Sequence, residues 1–476
     1  MTSSKKHVVN TIEDITLCRI SEQCIDSVKR RRSSIIVPIG SVQYGVCRHR
    51  ALLFKYLCDH MEPAVPCELV RGYLDFSPHA WNIILIKKGG TWVRMLVDAC
   101  RPHDIREEKN PEYFCRYIPL SRATIPLSTN GSHGPDRLFP SLSTCDEHEK
   151  KASTTLVRCK IGAVEAAAKV RTLDVQGSSP TEIRNFDYNC LGEIRILGCL
   201  KHPCIVEMYG HEISSQWTFT ADGKPCNRIL RSAIFMEYVD GGSLKNYLEK
   251  LSEAGEKHVP AELALHIARD VSCALSELHS KHIIHRDIKS ENILFDLDRK
   301  TDDGTPTVKL CDFDSAVPLR SPLHACCIAH VGTPPPCVCV GTPRWMAPEV
   351  MRTMYEKCAY GLEADIWSFG CLLLEMLTLQ IPYYGVPDSD VHDNLQMGKR
   401  PRLIDELEAL SPMSEPSVIQ SGEDLEKSDT EADLLKFLVE LFHRCMEENP
   451  ADRPTAKEIH EMLLARTDRL QAQDTE

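Results

Sequence analysis

The 476-residue sequence lacks any long uninterrupted apolar run. Its start, Met1-Thr2-Ser3-Ser4-Lys5-Lys6-His7, has no hydrophobic core behind it, so the expectation is a chain without a secretory signal. The longest apolar stretch, Gly370-Cys371-Leu372-Leu373-Leu374-Glu375-Met376-Leu377, is broken by a charge and reads as a buried helix, so no transmembrane segment is expected. Positive charge is not in excess either. With 56 Lys and Arg against 68 Asp and Glu, the net charge is -12, which argues against nucleic acid or an anionic membrane as the main partner. No internal repeat of solenoid or propeller period is present. Cysteine, in contrast, is abundant at 22 residues. Without an export route these are expected to be reduced thiols in a cytoplasmic protein rather than a disulfide framework. A hydrophobic content of 42% and a charged content of 26% are ordinary for globular protein, and the length suffices for two or three domains.

Three regions follow from the local composition. Residues 1–120 mix helix-like and strand-like segments. Residues 121–150 are rich in Ser, Thr, Pro and Gly and are expected to be a flexible linker. Residues 151–470 begin with strand signals and turn helical. In that third region Leu263, Ile267, Val271, Leu275 and Leu278 fall at helical spacing. The acidic stretch 405–431 is expected to be a surface loop. The basic run Lys29-Arg30-Arg31-Arg32 reads as a solvated face.

The chemistry lies in His285-Arg286-Asp287-Ile288-Lys289-Ser290-Glu291-Asn292, followed by Asp312-Phe313-Asp314. Phosphoryl transfer needs a carboxylate to orient the acceptor hydroxyl, a cation for the moving phosphoryl group, and oxygen donors for a metal; Asp287, Lys289, Asn292 and Asp312 are of those types. Further motifs occur along the chain in a fixed order. They are Ala166-Ala167-Ala168-Lys169-Val170, Gly192-Glu193-Ile194, Phe235-Met236-Glu237-Tyr238-Val239, Gly341-Thr342-Pro343-Arg344-Trp345-Met346-Ala347-Pro348-Glu349, Asp365-Ile366-Trp367-Ser368-Phe369-Gly370 and Asp452-Arg453-Pro454.

Together these motifs resemble a eukaryotic protein kinase of the tyrosine-kinase-like group, nearest to Raf-like and Roco-type Ser/Thr kinases. The resemblance implies an α+β, bilobal kinase fold with a β-rich N-lobe and a helical C-lobe. It also implies an enzyme that uses ATP with Mg2+, or Mn2+ in its place, to phosphorylate Ser/Thr residues of protein substrates in intracellular signalling. By the same resemblance Lys169 grips the ATP phosphates and pairs with Glu193. Val157, Met236, Glu237, Tyr238 and Val239 surround adenine, with Met236 as gatekeeper. Asn292 and Asp312 hold the metal, Asp287 is the catalytic carboxylate, and Lys289 neutralises the transferred group. Lys289 and Thr342 favour Ser/Thr over Tyr. Glu349 is expected to have a buried partner in Arg453, and Asp365 to tie down the catalytic loop. Taken alone, Glu165-Ala166-Ala167-Ala168-Lys169 has the propensity of a helix; only its place in the series makes it a strand.

Two departures stand out. Counted back from Lys169, the glycine positions of the phosphate loop fall near Lys150, Ala152 and Thr155, with Val157 as the loop's valine. Side chains there hold the backbone away from phosphate. Asp314 stands where kinases have glycine, which is expected to restrict Phe313 and to add negative charge near the metal. The expectation is a working kinase with altered ATP affinity; a pseudokinase scaffold that binds ATP weakly is the alternative. The activation segment also carries His324, Cys326, Cys327, His330, Cys337 and Cys339, whose spacing matches no strong zinc pattern, so zinc is not expected.

A second constellation precedes the kinase. Cys47 opens an apolar helical run through Ala51, Leu52, Leu53, Phe54 and Leu57, followed by His79-Ala80-Trp81 and Val97-Asp98. A thiol at a helix N-terminus, a histidine on a following strand and an aspartate on the next form a possible nucleophile–base–orienter triad. This segment resembles a small transglutaminase-like α+β domain of the papain-type group, and the regulatory domain that precedes many plant Raf-like kinases. It implies a regulatory role, or a cysteine amidase or transferase activity.

Overall fold

The computed structural model describes residues 19–74, 77–102, 105–124, 152–219, 225–300, 304–319, 338–410 and 431–473. The chain divides into two compact units, Met1–Arg122 and Ala123–Glu476.

The first unit opens on helix α1 (residues 19–32), which carries the basic run, and α2 (Cys47–Asp59). Strands β1 (Cys67–Leu74), β2 (Ser77–Lys88), β3 (Thr91–Val97) and β4 (Arg106–Glu107) follow, then α3 (Pro111–Arg116) and β5 (Tyr117–Pro119). The antiparallel sheet runs β4-β3-β2-β1-β5. Residues 79, 81 and 83 of β2 share a face, and Trp81 and Ile83 bury against Leu96, Tyr113 and Tyr117. The β5 strand approaches β1 closely because residue 72 is glycine. A Cβ there would strike the Ile118 carbonyl and the Trp81 ring. The helix expected over the apolar run forms, yet it buries only Ala51 and Cys58; Leu52, Leu53 and Leu57 are exposed.

A second sheet has the order β6-β9-β10-β8-β7. Its strands are β6 (Ser121–Ala123), β7 (Ala152–Ile161), β8 (Val164–Asp174), β9 (Met208–Phe219) and β10 (Pro225–Glu237). The expected linker therefore begins as strand. Thr124 donates its N–H to the Tyr209 carbonyl (2.9 Å) and its hydroxyl to the Met208 carbonyl (2.7 Å). A sheet edge supplies partners that composition cannot show. The rest of that segment, 125–150, lies outside the described residues. The helix-prone run ending at Lys169 is strand because β8 is hydrogen-bonded on both sides, to β7 and β10, with Ala166 and Ala168 fully buried. Tertiary pairing overrides propensity here.

Helix α4 (Pro180–Cys199) carries Glu193 and starts on a capping box. Ser179 accepts from the Glu182 N–H, while the Glu182 carboxylate accepts from the Ser179 N–H. Beyond β10 the second unit is mainly helical, with α5 (Leu244–Glu253), α6 (Ala261–Ser280), and the strands β11 (Ile283–Ile284), β12 (Ile293–Lys300), β13 (Pro306–Leu310) and β14 (Val317–Pro318). Then come α7 (Pro348–Arg352), α8 (Glu363–Thr378), α9 (Asp388–Gln396), α10 (Asp405–Glu408), α11 (Glu431–Cys445) and α12 (Ala456–Gln473). Ile267, Val271, Leu275 and Leu278 bury as their spacing predicts, and α8 is buried from Ala364 to Thr378. Among the described residues no helix is long and apolar enough to cross a membrane. The acidic stretch 405–431 is helical at its start, in α10, and residues 411–430 lie outside the described residues.

Candidate active site

The catalytic loop hangs from one buried carboxylate. Asp365, fully buried on α8, accepts from the backbone N–H groups of His285 and Arg286 (2.8 Å each) and lies 3.0 Å from His279. Burial raises its pKa, but His279 and His285 outweigh burial and hold it low. Arg286 takes a φ of 70°, a conformation those amide bonds help to hold. A second carboxylate supports the loop from below. Glu375, also buried on α8, accepts from the Ser290 hydroxyl (2.5 Å), the Ser290 N–H (3.1 Å) and the Trp345 indole N–H (2.8 Å). It thus joins the catalytic loop to the end of the activation segment.

Asp287 sits at the centre of a polar cluster. Thr342 donates its hydroxyl to Asp287 Oδ1 (2.6 Å), and Lys289 Nζ contacts both Thr342 Oγ1 (2.7 Å) and Asp287 Oδ2 (3.1 Å). Asn292 Nδ2 donates to the Asp287 carbonyl (2.8 Å) and to its Oδ2 (3.0 Å). Burial pushes the Asp287 carboxyl up, and Thr342 and Lys289 outweigh it, so the group lies below the usual aspartate value. Gly341 lets the activation segment come this close: its φ is 128°, and a Cβ there would strike the Arg286 carbonyl.

Asp314 has a partner that sequence reading missed. Lys169 Nζ contacts Glu193 Oε1 (3.1 Å), Asp312 Oδ1 (2.7 Å) and Asp314 Oδ1 (2.8 Å). Arg171, two residues further along β8 and on the same face, bonds Glu193 Oε2 (2.7 Å) and Asp314 Oδ1. The added carboxylate comes with an added cation. Lys169, Glu193 and Asp312 alone sum to one negative charge, and adding Arg171 and Asp314 leaves that sum unchanged. The expected rise in negative charge is thus cancelled. The expected strain is missing too: Asp312 has a φ of 60°, while Asp314 is not among the residues with positive φ. Burial alone would depress the Lys169 amine, but Glu193, Asp314 and Asp312 hold it above the usual lysine range. Burial would raise Asp314, but the Lys169 and Arg171 cations beside it hold it well below the usual carboxylate range. Phe313 is buried, 4.9 Å from the His285 ring in an edge-on contact.

The β7–β8 register corrects one expected contact. Val157 pairs with Ala168 and packs into the cluster of Ala166, Ala168, Val170 and Phe235, on the face opposite Lys169. The β7 residues on the Lys169 face include Leu156 and Arg158, paired with Lys169 and Ala167. The uninterrupted pairing to the Gly162-Ala163 turn sets this, and one residue of register changes the face. Of the glycine positions, Ala152 and Thr155 lie on β7 and Lys150 lies outside the described residues. Met236, paired with Ala167, is on the Lys169 face. The Glu237 carboxylate turns away to Lys309 (2.7 Å) and Arg299 (3.0 Å), and Arg158 lies 4.3 Å over the Tyr238 ring. Val239 is buried.

Arg453 and Glu349 form a two-pronged pair (2.6 and 3.0 Å), with Arg453 buried. Of the Cys/His insert, Cys339 contacts the sulfurs of Met346 (3.6 Å) and Met351 (3.7 Å); the other five residues lie outside the described residues. Neither Arg171 nor Glu375 carries a local motif. The signal for Arg171 was available in principle, as a cation at i+2 from Lys169 on one strand face opposite an extra acid.

In the first unit, His79 Nε2 lies 2.8 Å from Asp98 Oδ2, and Tyr117 donates its hydroxyl to the same oxygen (3.0 Å). Cys47 is the first residue of α2, and its thiol interacts with the His79 ring and the Ala80 N–H. Burial would lower His79, but Asp98 and Cys47 raise it to about 9. Burial would raise Cys47, and His79 with the two backbone N–H groups brings it below the usual thiol value. The structure therefore brings Cys47, His79 and Asp98 together as a thiol–imidazole–carboxylate series.

Comparison with known proteins agrees with both units. Residues 162–464 match the protein kinase domain model, and residues 4–102 match the EDR1/CTR1/ARMC3, peptidase-like model. Among similar proteins, the mitogen-activated protein kinase kinase kinase YODA of Arabidopsis thaliana is 30% identical over 277 residues, 58% of this chain and 24% of that protein. The lymphokine-activated killer T-cell-originated protein kinase of Homo sapiens is 29% identical over 274 residues, 57% of this chain and 73% of that one. The serine/threonine-protein kinase ATG1a of Arabidopsis thaliana is 27% identical over 302 residues, 63% and 38% respectively. The chain spans well under two thirds of the length of most of the curated relatives it matches. With its Lys169–Glu193 pair, its anchored catalytic loop and a kinase model covering most of its length, the chain belongs to the protein kinase family and carries an EDR1/CTR1-type peptidase-like domain ahead of its kinase domain.

Proposed function

We propose that the chain is an active cytoplasmic Ser/Thr protein kinase that transfers the γ-phosphoryl group of ATP to serine or threonine hydroxyls of signalling proteins. The observation that carries this is the Asp287–Lys289–Thr342 cluster, in which a carboxylate and an ammonium already converge on one hydroxyl oxygen at 2.6 and 2.7 Å. An acceptor hydroxyl would bond to Asp287, which orients it and accepts its proton, while Lys289 faces the transferred group. Lys169, kept charged by Glu193, would bind the α- and β-phosphates once nucleotide draws it from Asp312 and Asp314.

The donor set fits a hard divalent cation. Asn292 spends its NH2 on Asp287, which leaves its carbonyl oxygen as an acceptor, and with the Asp312 carboxylate it would supply oxygen ligands. When bound there, Mg2+ (or Mn2+) supplies positive charge that offsets the phosphate oxygens. Leu156 and Ala167 would flank adenine in place of the expected Val157, with Met236 behind it and the Glu237–Val239 backbone as donors and acceptors. Radiolabelled ATP with mixed Ser, Thr and Tyr peptides tests the reading. Label on Ser/Thr peptides that depends on Lys169 supports it; nucleotide binding with no transfer, or transfer to Tyr alone, overturns it.

A second reading belongs to the first unit. We infer that Cys47 is a nucleophile toward carboxamide or acyl groups, with His79 as its base and Asp98 as the orienter of His79. The His79–Asp98 contact (2.8 Å), doubled by Tyr117, favours this over a buried structural thiol. Iodoacetamide is expected to label Cys47 at pH 7 at least ~10-fold faster than Cys24, and His79→Gln to remove the difference. The stabilising contribution of His79, whose folded pKa of about 9 exceeds the unfolded value, is complete below about pH 6.5 and is lost as pH rises through about 9. The Tm difference between wild type and His79→Gln should therefore be largest near pH 6 and shrink by pH 10.

A further inference from the structure

Away from the phosphotransfer site, the loop that follows α4 brings two thiols and an imidazole together. His202 and Cys204 flank Pro203 in that loop, and Cys273 lies on α6. Their ligating atoms all fall within 4.8 Å of one another, and each residue is partly accessible. Cys273 Sγ is 3.6 Å from His202 Nε2, and the Cys204 sulfur lies within 4.8 Å of both. None of the three has a part in the phosphotransfer chemistry described above.

The hydrogen bonds fix where the protons are. The Cys204 N–H donates to His202 Nδ1 (3.2 Å), so Nδ1 is the acceptor nitrogen and the neutral ring carries its proton on Nε2. That Nε2–H points at Cys273 Sγ and donates to it. A zinc ion would need Nε2 bare, with Nδ1–H donating to a second-shell acceptor; a backbone donor occupies Nδ1 instead. The arrangement therefore suits a thiolate at Cys273 rather than a metal. The neighbouring Cys204 thiol and the His202 ring hold the Cys273 thiol well below the usual range, against the effect of burial. The neighbouring Cys273 sulfur and burial push Cys204 up, so the proton stays on Cys204.

We propose that Cys273 and Cys204 are a peroxide-reactive dithiol pair, Cys273 the attacking thiolate and Cys204 the resolving thiol. The Cys273 thiolate attacks one oxygen of hydrogen peroxide, the O–O bond breaks, and hydroxide leaves. This gives a sulfenic acid on Cys273 and transfers two electrons from sulfur to peroxide. Cys204 then attacks that sulfur, the S–O bond breaks, and water leaves with the Cys204 proton, closing a Cys204–Cys273 disulfide. Overall two thiols and one peroxide give one disulfide and two waters. The Cys204 end is anchored by the Leu310 N–H on its carbonyl (2.8 Å). The bond ties the loop beneath α4, the helix of Glu193, to α6, which leads into the catalytic loop.

The test uses the full reduced chain, a small excess of hydrogen peroxide, alkylation of the remaining thiols, and peptide mass mapping. The expected result is a cross-linked Cys204–Cys273 peptide two hydrogens lighter than its reduced parts and restored by dithiothreitol. In Cys204→Ser, dimedone should trap a sulfenic acid on Cys273; in Cys273→Ser, Cys204 should stay reduced. Should either variant fail to fold, the wild type still decides. At pH 6 iodoacetamide is expected to label Cys273 at least ~10-fold faster than Cys358. The pair is refuted if peroxide oxidises other thiols while these two stay reduced, or if the protein holds one zinc ion that Cys273→Ser loses. Phosphotransfer is not the readout, so failure here is distinct from failure of the kinase reading.

Discussion

Asp287→Asn lowers kcat for phosphotransfer by ~10²–10⁴-fold while leaving the KM for ATP nearly unchanged. Asparagine keeps an oxygen for the Thr342 hydroxyl, so the loop geometry survives, but it cannot accept a proton and no longer pairs with Lys289. The wild-type pH profile follows from the same contacts. Because Thr342 and Lys289 outweigh burial, the Asp287 carboxyl titrates below its ordinary value and is ionised throughout the neutral range. The stability these contacts give is present above about pH 4 and is lost only as pH falls through the lowered folded value. No acid limb of kcat/KM between pH 5 and 8 should therefore trace to this group. Steady-state kinetics over that range, with circular dichroism to confirm folding, checks both statements. An unchanged kcat in the asparagine variant would falsify the role of Asp287.

The second large effect concerns Arg171. Arg171→Met strands the fully buried Glu193 and the Asp314 carboxylate on Lys169 alone, and the cluster goes from one net negative charge to two. Removing one partner of a buried ion pair costs ~3–5 kcal/mol, so the kinase unit should melt several degrees lower. Lys169, drawn harder to the acids, is less free for phosphate, and the KM for ATP should rise ~10-fold, or about 1.4 kcal/mol. Asp314→Gly alone leaves Arg171 and Lys169 against Glu193 and Asp312, a sum of zero, which weakens the metal-dependent step. The double variant Arg171→Met with Asp314→Gly restores the original sum and should recover most of the lost stability and affinity. A double-mutant cycle is expected to give a coupling of ~1–3 kcal/mol. Additive effects of the two substitutions would show that the residues act separately.

Asp314 is therefore half of a charge-compensated pair with Arg171. It also helps keep Phe313 inward, since its carboxylate is held by Lys169 and Arg171 while the phenyl ring lies against His285. The same contacts hold Glu193 toward the active centre, with Lys169 on one carboxylate oxygen and Arg171 on the other.

What the sequence determined by itself is the chemistry and its order along the chain. Asp287, Asn292, Asp312, Lys169 and Glu193 were singled out before any fold was known, because their motifs resemble those of a protein kinase in kind and in order. The α6 periodicity and the buried character of α8 were legible because a face or a whole helix repeats locally. What the tertiary structure alone decided depends on pairing across distance. The register of β7 against β8 moved Val157 off the nucleotide face, and the edge of a sheet turned the start of a linker into strand. Arg171 reaches Asp314 across 143 positions of sequence, Glu375 reaches Ser290 across 85, and Cys273 meets His202 across 71. Such partners carry no local pattern, because the energy that selects them, burial of charge and exchange of hydrogen bonds, exists only once distant segments are packed together.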